Sequence, residues 1–132
     1  MKKNRLRIDK IRASRDGHEF HESWAARKAL QLVMPSDDLV GIAVEGLASA
    51  DQSSASAATV EIADLTLYHG SGPTFGDAHS VVIVQFKYSI GSKSIPFRAS
   101  DAKKTINKFA AAFTDHKRIY GAKDVSKKLS FG

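Results

Sequence analysis

The chain has 132 residues, which at about 100–200 residues per domain leaves room for one domain. Its 42% hydrophobic and 26% charged residues are the composition of a globular protein with a real core and exclude a disordered tail. No cysteine is present, so disulfides, thiolate zinc sites, iron–sulfur clusters and thiol catalysis are excluded together, and any metal must sit on oxygen or imidazole.

No apolar run approaches the roughly 20 residues of a membrane helix, and the basic N-terminus does not lead into an apolar signal core. The expected setting is cytoplasmic, without a membrane partner. The net charge of +6 is unevenly spread. Residues 1–15 hold seven basic residues and one acid, residues 16–86 hold two and ten, and residues 87–132 hold eleven and three. Two basic arms thus flank an acidic middle, the pattern of a polyanion binder whose central carboxylates gather a cation.

Met1 to Arg15 alternates basic residues with Leu6, Ile8 and Ile11, as a frayed arm or a short helix. From Asp16 or Gly17 to Met34 an alanine-rich run without proline predicts a helix that Pro35 ends. At 100° per residue, Ala25, Ala26, Ala29 and Val33 fall within about 60° of Glu22, with Phe20 and Trp24 on the other side. Glu22 is therefore expected on a small apolar face. Val40 to Gly46 reads as a first strand ending near Glu45, Ser49 to Ala58 as a polar connection, and Thr59 to Tyr68 as a second strand.

The turn-rich stretch His69 to Asp77 predicts a hairpin loop before a third strand, Ser80 to Ile90. Gly91-Ser92 turns the chain into a short edge strand, Ser94 to Arg98, marked by Pro96. Ser100 is a candidate cap for a last helix, Asp101 to about Lys117, with Ile106, Phe109, Ala110 and Phe113 on one face and Lys103, Lys104 and Lys108 around it. The order is helix, β meander, helix, so the fold class is α/β.

Side chains alternate between the faces of a strand, so Val81, Ile83, Gln85 and Lys87 share one face and Val82, Val84, Phe86 and Tyr88 the other. Val60, Ile62 and Asp64 share a face in the same way, and antiparallel pairing then brings Asp64 beside Gln85 and Lys87. A carboxylate, an amide oxygen and a lysine meeting at one sheet edge must be paired, hydrated or metal-bound, because burying either charge alone costs several kcal/mol.

Asp64 followed by Gln85-Phe86-Lys87 in a hydrophobic strand resembles the PD-(D/E)XK nuclease signature in its Gln variant. The leading helix with Gly17-His18-Glu19-Phe20-His21-Glu22 is similar to the first helix of such nucleases, which often supplies a further Glu. More closely, Arg12 to Phe131 looks like the N-terminal double-stranded-DNA endonuclease domain of anti-phage CBASS effectors, the nuclease–SAVED proteins associated with CD-NTases. The resemblance implies a restriction-endonuclease-like core and a Mg2+- or Mn2+-dependent endonuclease acting on double-stranded DNA. In it Asp64 is the principal metal ligand, joined by the Gln85 side-chain oxygen and the Phe86 backbone carbonyl, and Lys87 positions the attacking water or holds the scissile phosphate.

Glu45 is a further candidate for the catalytic and metal-binding set, and Glu22 an accessory carboxylate. Lys103, Lys104 and Lys108 are the candidate DNA contacts. The organisation then reads as a basic arm, residues 1–15, and a nuclease-like domain, residues 16–132, truncated at its C-terminus. Such a domain is expected to continue past Ser130-Phe131-Gly132 into a final strand, and the cyclic-oligonucleotide sensor of the family does not follow here. A homo-oligomer is one arrangement compatible with cutting both strands. The alternative reading is a catalytically inactive DNA-binding or interaction remnant of such a nuclease.

Other signals fall away. His18 and His21 are three apart, whereas the zincin motif needs four. The Gly70 to Gly76 loop lacks the Gly-Lys-Ser/Thr ending of a phosphate cradle. His69, His79 and His116 read as surface or loop residues, and Ser94, Ser100 and Ser126 have no nucleophile-elbow context.

Overall fold

In the computed structural model, residues 19–34, 37–86 and 99–132 are described. Helix α1 covers residues 19–29 and runs into a single 3-10 turn, Leu30–Val33. Its least exposed positions are His21, Trp24, Ala25 and Lys28, spaced as one helical stripe. Of the expected face only Ala25 is buried; Glu22, Ala26, Ala29 and Val33 are exposed. The stripe that contains Trp24 wins because an indole buries far more apolar area than a row of alanines.

Strands β1 (Leu39–Val44), β2 (Leu65–Gly70) and β3 (Ala78–Val84) form an antiparallel meander, and β4 (Leu129–Phe131) lies parallel to β3, giving the order β1-β2-β3-β4. Residues Leu129 to Phe131 thus form the strand beside β3. The ladder runs to the final position, where Gly132 N–H donates to the Ile83 carbonyl at 3.0 Å and Gln85 N–H to the Gly132 carbonyl at 3.1 Å.

The expected strand Thr59 to Tyr68 is two elements. A short helix α2 (Ser49–Gln52) is followed by α3 (Ala57–Ile62), and β2 starts only at Leu65. Ser56 caps α3 by accepting the Thr59 N–H at 3.3 Å. Asp115 reaches across to accept the Ser56 N–H at 2.9 Å and the Thr59 hydroxyl at 2.8 Å. The β-branched residues Thr59, Val60 and Ile62 are thus overridden by a cap and a distant carboxylate. Burial raises the Asp115 carboxyl, but the Ser56 N–H, Arg118 and the Thr59 hydroxyl together hold it well below the usual carboxylate range.

Helix α4 (Ala99–Tyr120) includes Ser100, expected as its cap, and Gly121 at φ 88° ends it before α5 (Ala122–Lys128). Its inward stripe is Ala102, Thr105, Phe109, Ala112, Phe113 and His116, while Ile106 is 60% exposed and Ala110 is exposed. His116, 2% exposed, is a core residue and not a surface one. It bonds the Ala112 carbonyl through Nδ1 at 3.0 Å and packs against Phe75 and Tyr120. That packing fixes the helix rotation and leaves Ile106 outside.

The sheet is covered on both faces. Tyr68, Val81 and Ile83 join Val125 and Leu129 in one cluster, whereas Leu65, Leu67 and Val84 pack with Ala25, Trp24 and Phe86 in the other. The parity expected for β3 is what separates them. Loop 71–77 joins β2 and β3 as expected and folds onto the C-terminal helices. There Phe75 stacks on Tyr120 at 4.1 Å, and Lys128 Nζ donates to the Phe75 and Gly76 carbonyls, each at 3.1 Å.

Beneath this loop Asp51, 6% exposed, accepts from the Tyr68 hydroxyl at 2.8 Å, the Phe75 N–H at 3.0 Å and the Tyr120 hydroxyl at 3.4 Å. Asp51 is thus buried, whereas a polar connection was the expectation for its segment. Burial, the Asp51 hydrogen bond and its charge push the Tyr68 phenol well above its usual range, against the Ala48 N–H bond that lowers it. Among the described residues no helix is long and apolar enough to cross a membrane.

Candidate metal centre

Asp64, Glu45, Gln85 and Gly132 lie in one row across the same end of the sheet, each one residue beyond its strand or at its tip. The row is stitched by backbone bonds: Glu45 N–H to the Asp64 carbonyl at 2.8 Å, Asp64 N–H to the Val84 carbonyl at 3.1 Å, and Gln85 N–H to the Gly132 carbonyl at 3.1 Å. Asp64 and Gln85 are thus brought together, but not by the expected route. Val60 and Ile62 are helical and Asp64 precedes β2, so no shared strand face aligns them. The β2–β3 register, Leu65 opposite Val84, does so instead.

The Asp64 carboxylate is half-buried and accepts the Phe86 N–H through Oδ2 at 2.7 Å. Among the described residues this is the donor that fixes it. Gln85 is also half-buried, and among the described residues its buried Oε1 has no hydrogen-bond partner. Buried amide oxygens almost always have a partner, so this atom requires an explanation. Carboxylate and amide oxygens are the hard donors that Mg2+ and Mn2+ prefer, so a divalent cation is one partner whose chemistry suits this atom. The chemistry of Asp64 and Gln85 fits such an ion.

Glu45 stands directly across from Asp64, exposed, at a left-handed φ of 55°. That conformation costs about 1–2 kcal/mol for a residue with a Cβ. It is held by the bond to Asp64 on one side and, on the other, by the Thr66 hydroxyl donating to the Gly46 carbonyl at 2.8 Å. Gly46 at φ 155° completes the turn, and a Cβ there would meet the Gln52 Oε1 at 2.7 Å. Glu22, exposed on α1, is not turned toward the sheet as expected.

Lys87 and the Ser94 to Arg98 strand lie outside the described residues, as does the basic arm 1–15. Lys103, Lys104 and Lys108 are all exposed on α4. What sequence reasoning missed is the ring cluster under the site. The Phe86 ring is 4.9 Å from His21, 5.3 Å from Trp24 and 5.5 Å from Phe20. The His21, Trp24, Ala25 spacing was the available signal.

At the opposite end of β1 and β2, Asp37, Asp38 and His69 hold ligand atoms within 4.8 Å of one another. Asp38 pairs with His69 Nδ1 at 2.9 Å and Asp37 accepts the Leu39 N–H at 3.0 Å, so both serve to tie the strand ends. No family model matches this chain, and no curated protein or solved structure matches it.

Proposed function

We propose that this chain is a metal-dependent DNA endonuclease domain in which Asp64 and the Gln85 side-chain oxygen hold Mg2+ or Mn2+ beside the scissile phosphodiester. The observation that carries the reading is the buried Gln85 Oε1, which has no hydrogen-bond partner among the described residues and lies one residue from the Phe86 N–H that fixes Asp64. When bound, such an ion supplies Lewis-acid neutralisation of the charge that grows on the phosphate oxygens and activation of the attacking water.

The chain's own residues do the rest. Asp64 is oriented in advance by the Phe86 N–H, so little reorganisation accompanies ion binding. The Phe86 carbonyl is assigned as a further ligand, and Glu45, in the same row, as the carboxylate nearest in the ladder for a second contact. Lys87 follows directly in the chain and is assigned to the scissile phosphate or the attacking water. The exposed lysines of α4 and the basic arm supply affinity for the phosphate backbone without sequence preference.

Incubating plasmid with the protein in Mg2+ and in EDTA tests the reading. Cleavage is expected in Mg2+ alone. Asp64→Ala should abolish it while leaving DNA binding unchanged or slightly tighter, because a negative charge is removed from the phosphate path. Lys87→Ala should abolish cleavage and also weaken binding. Robust cleavage by Asp64→Ala would place the chemistry elsewhere, and salt-sensitive binding without cleavage would leave the inactive DNA-binding remnant.

A further inference from the structure

We propose that Phe86 is a positioning residue whose ring ties the seating of helix α1 to the geometry of the cation site, so that metal binding and α1 packing are coupled. The inference rests on the reading of Asp64 and Gln85 as a cation site. Phe86 lies two residues past the end of β3 and beyond the last ladder bond, which Gln85 makes to Gly132. Its N–H leaves the ladder and goes to Asp64 Oδ2 at 2.7 Å. Among the described residues, Phe86 is held by this bond to Asp64 and by the packing of its ring.

That ring is held by three rings of α1. His21 and Trp24 meet it at tilts of 39° and 56°, and Phe20 meets it edge-on at 83°. These are the offset and edge arrangements that aromatic quadrupoles favour. Trp24 and Phe86 also pack on the same core cluster as Ala25 and Val84, so the cradle is continuous with the sheet. A displacement of α1 moves the Phe86 ring, then its N–H, then the carboxylate that N–H orients. By linkage, an ion drawn to Asp64 must favour the seated position of α1 to the same degree. Trp24 is the chain's single tryptophan, so its emission reports on the cradle.

The test combines Mn2+ affinity by calorimetry with Trp24 emission during Mg2+ titration of the full chain. In the wild type, Mg2+ is expected to shift Trp24 emission, and Asp64→Ala to abolish both the shift and Mn2+ binding. Phe86→Leu, which keeps apolar volume and removes the ring, is expected to weaken Mn2+ binding about tenfold with an unchanged circular dichroism spectrum. Trp24→Leu should do the same, the double variant should be little weaker than either alone, and Phe86→Tyr should bind as the wild type does.

A folded Phe86→Leu that binds Mn2+ as tightly as the wild type overturns the proposal. Should Phe86→Leu fail to fold, the wild type decides: Trp24 emission that stays constant while Mg2+ binds through Asp64 overturns it equally. Mn2+ binding that is indifferent to Asp64→Ala overturns the cation site itself, and it is recognised without any change in the cradle.

Discussion

Replacing Gln85 with methionine separates the stability of the fold from the needs of the site. The two side chains have the same length, and among the described residues Gln85 Oε1 has no donor to lose. A buried unsatisfied acceptor costs about 1–3 kcal/mol, so Gln85→Met should stabilise the metal-free protein by up to that amount. With a urea slope of about 2 kcal/mol per molar, a gain of about 2 kcal/mol raises the unfolding midpoint by about 1 M. In EDTA the variant is therefore expected to be the more stable protein.

Mg2+ should remove that advantage. At about 100-fold excess over its dissociation constant a ligand adds about 2.7 kcal/mol to the state that binds it. Wild type should gain this and Gln85→Met little of it, so the two unfolding curves converge or cross as Mg2+ is added. Urea titrations of both proteins in EDTA and in Mg2+, followed by circular dichroism, measure the four midpoints. Gln85→Met destabilised by more than about 1 kcal/mol in EDTA would refute the reasoning, because Oε1 would then have been satisfied within the protein itself.

Asp51→Ala leaves the Tyr68 hydroxyl proton and the buried Phe75 N–H without their acceptor, so it should destabilise by about 3–5 kcal/mol in urea unfolding, and a loss under about 1 kcal/mol would contradict the network. Asp115 has a folded pKa below its unfolded value of about 3.9, so the unfolded state binds more protons as the medium acidifies. Its stabilisation is complete above about pH 4 and is lost as pH falls further; Asp115→Asn should be less stable near neutrality and flatter in acid, as thermal melts against pH would show. Replacing Lys103, Lys104 and Lys108 together by alanine should lower DNA affinity and reduce the slope of log affinity against log salt by up to about 3.

Local chemistry in the chain determined the terminal helices, the meander, the turn-rich hairpin loop and the alternation of β3, because turn residues and hydrophobic period act over a few positions. The candidate residues Asp64 and Gln85 are singled out by strand parity and by the resemblance to the PD-(D/E)XK signature. Tertiary structure decided whatever depended on a distant partner. Thr59 to Ile62 is helical because Asp115, on another helix, satisfies its first turn. Glu22 faces outward and Ile106 is exposed because Trp24, Ala112 and His116 set the helix rotations, which a helical wheel with several apolar faces leaves open.

The three-residue strand Leu129–Phe131 is too short to carry a periodic signal and exists because β3 offers it a ladder. Asp64 meets Gln85 for the same kind of reason. The register of two strands carries both residues to the sheet's end, where the last backbone bonds, and not the alternation within a strand, bring the carboxylate to the Phe86 N–H.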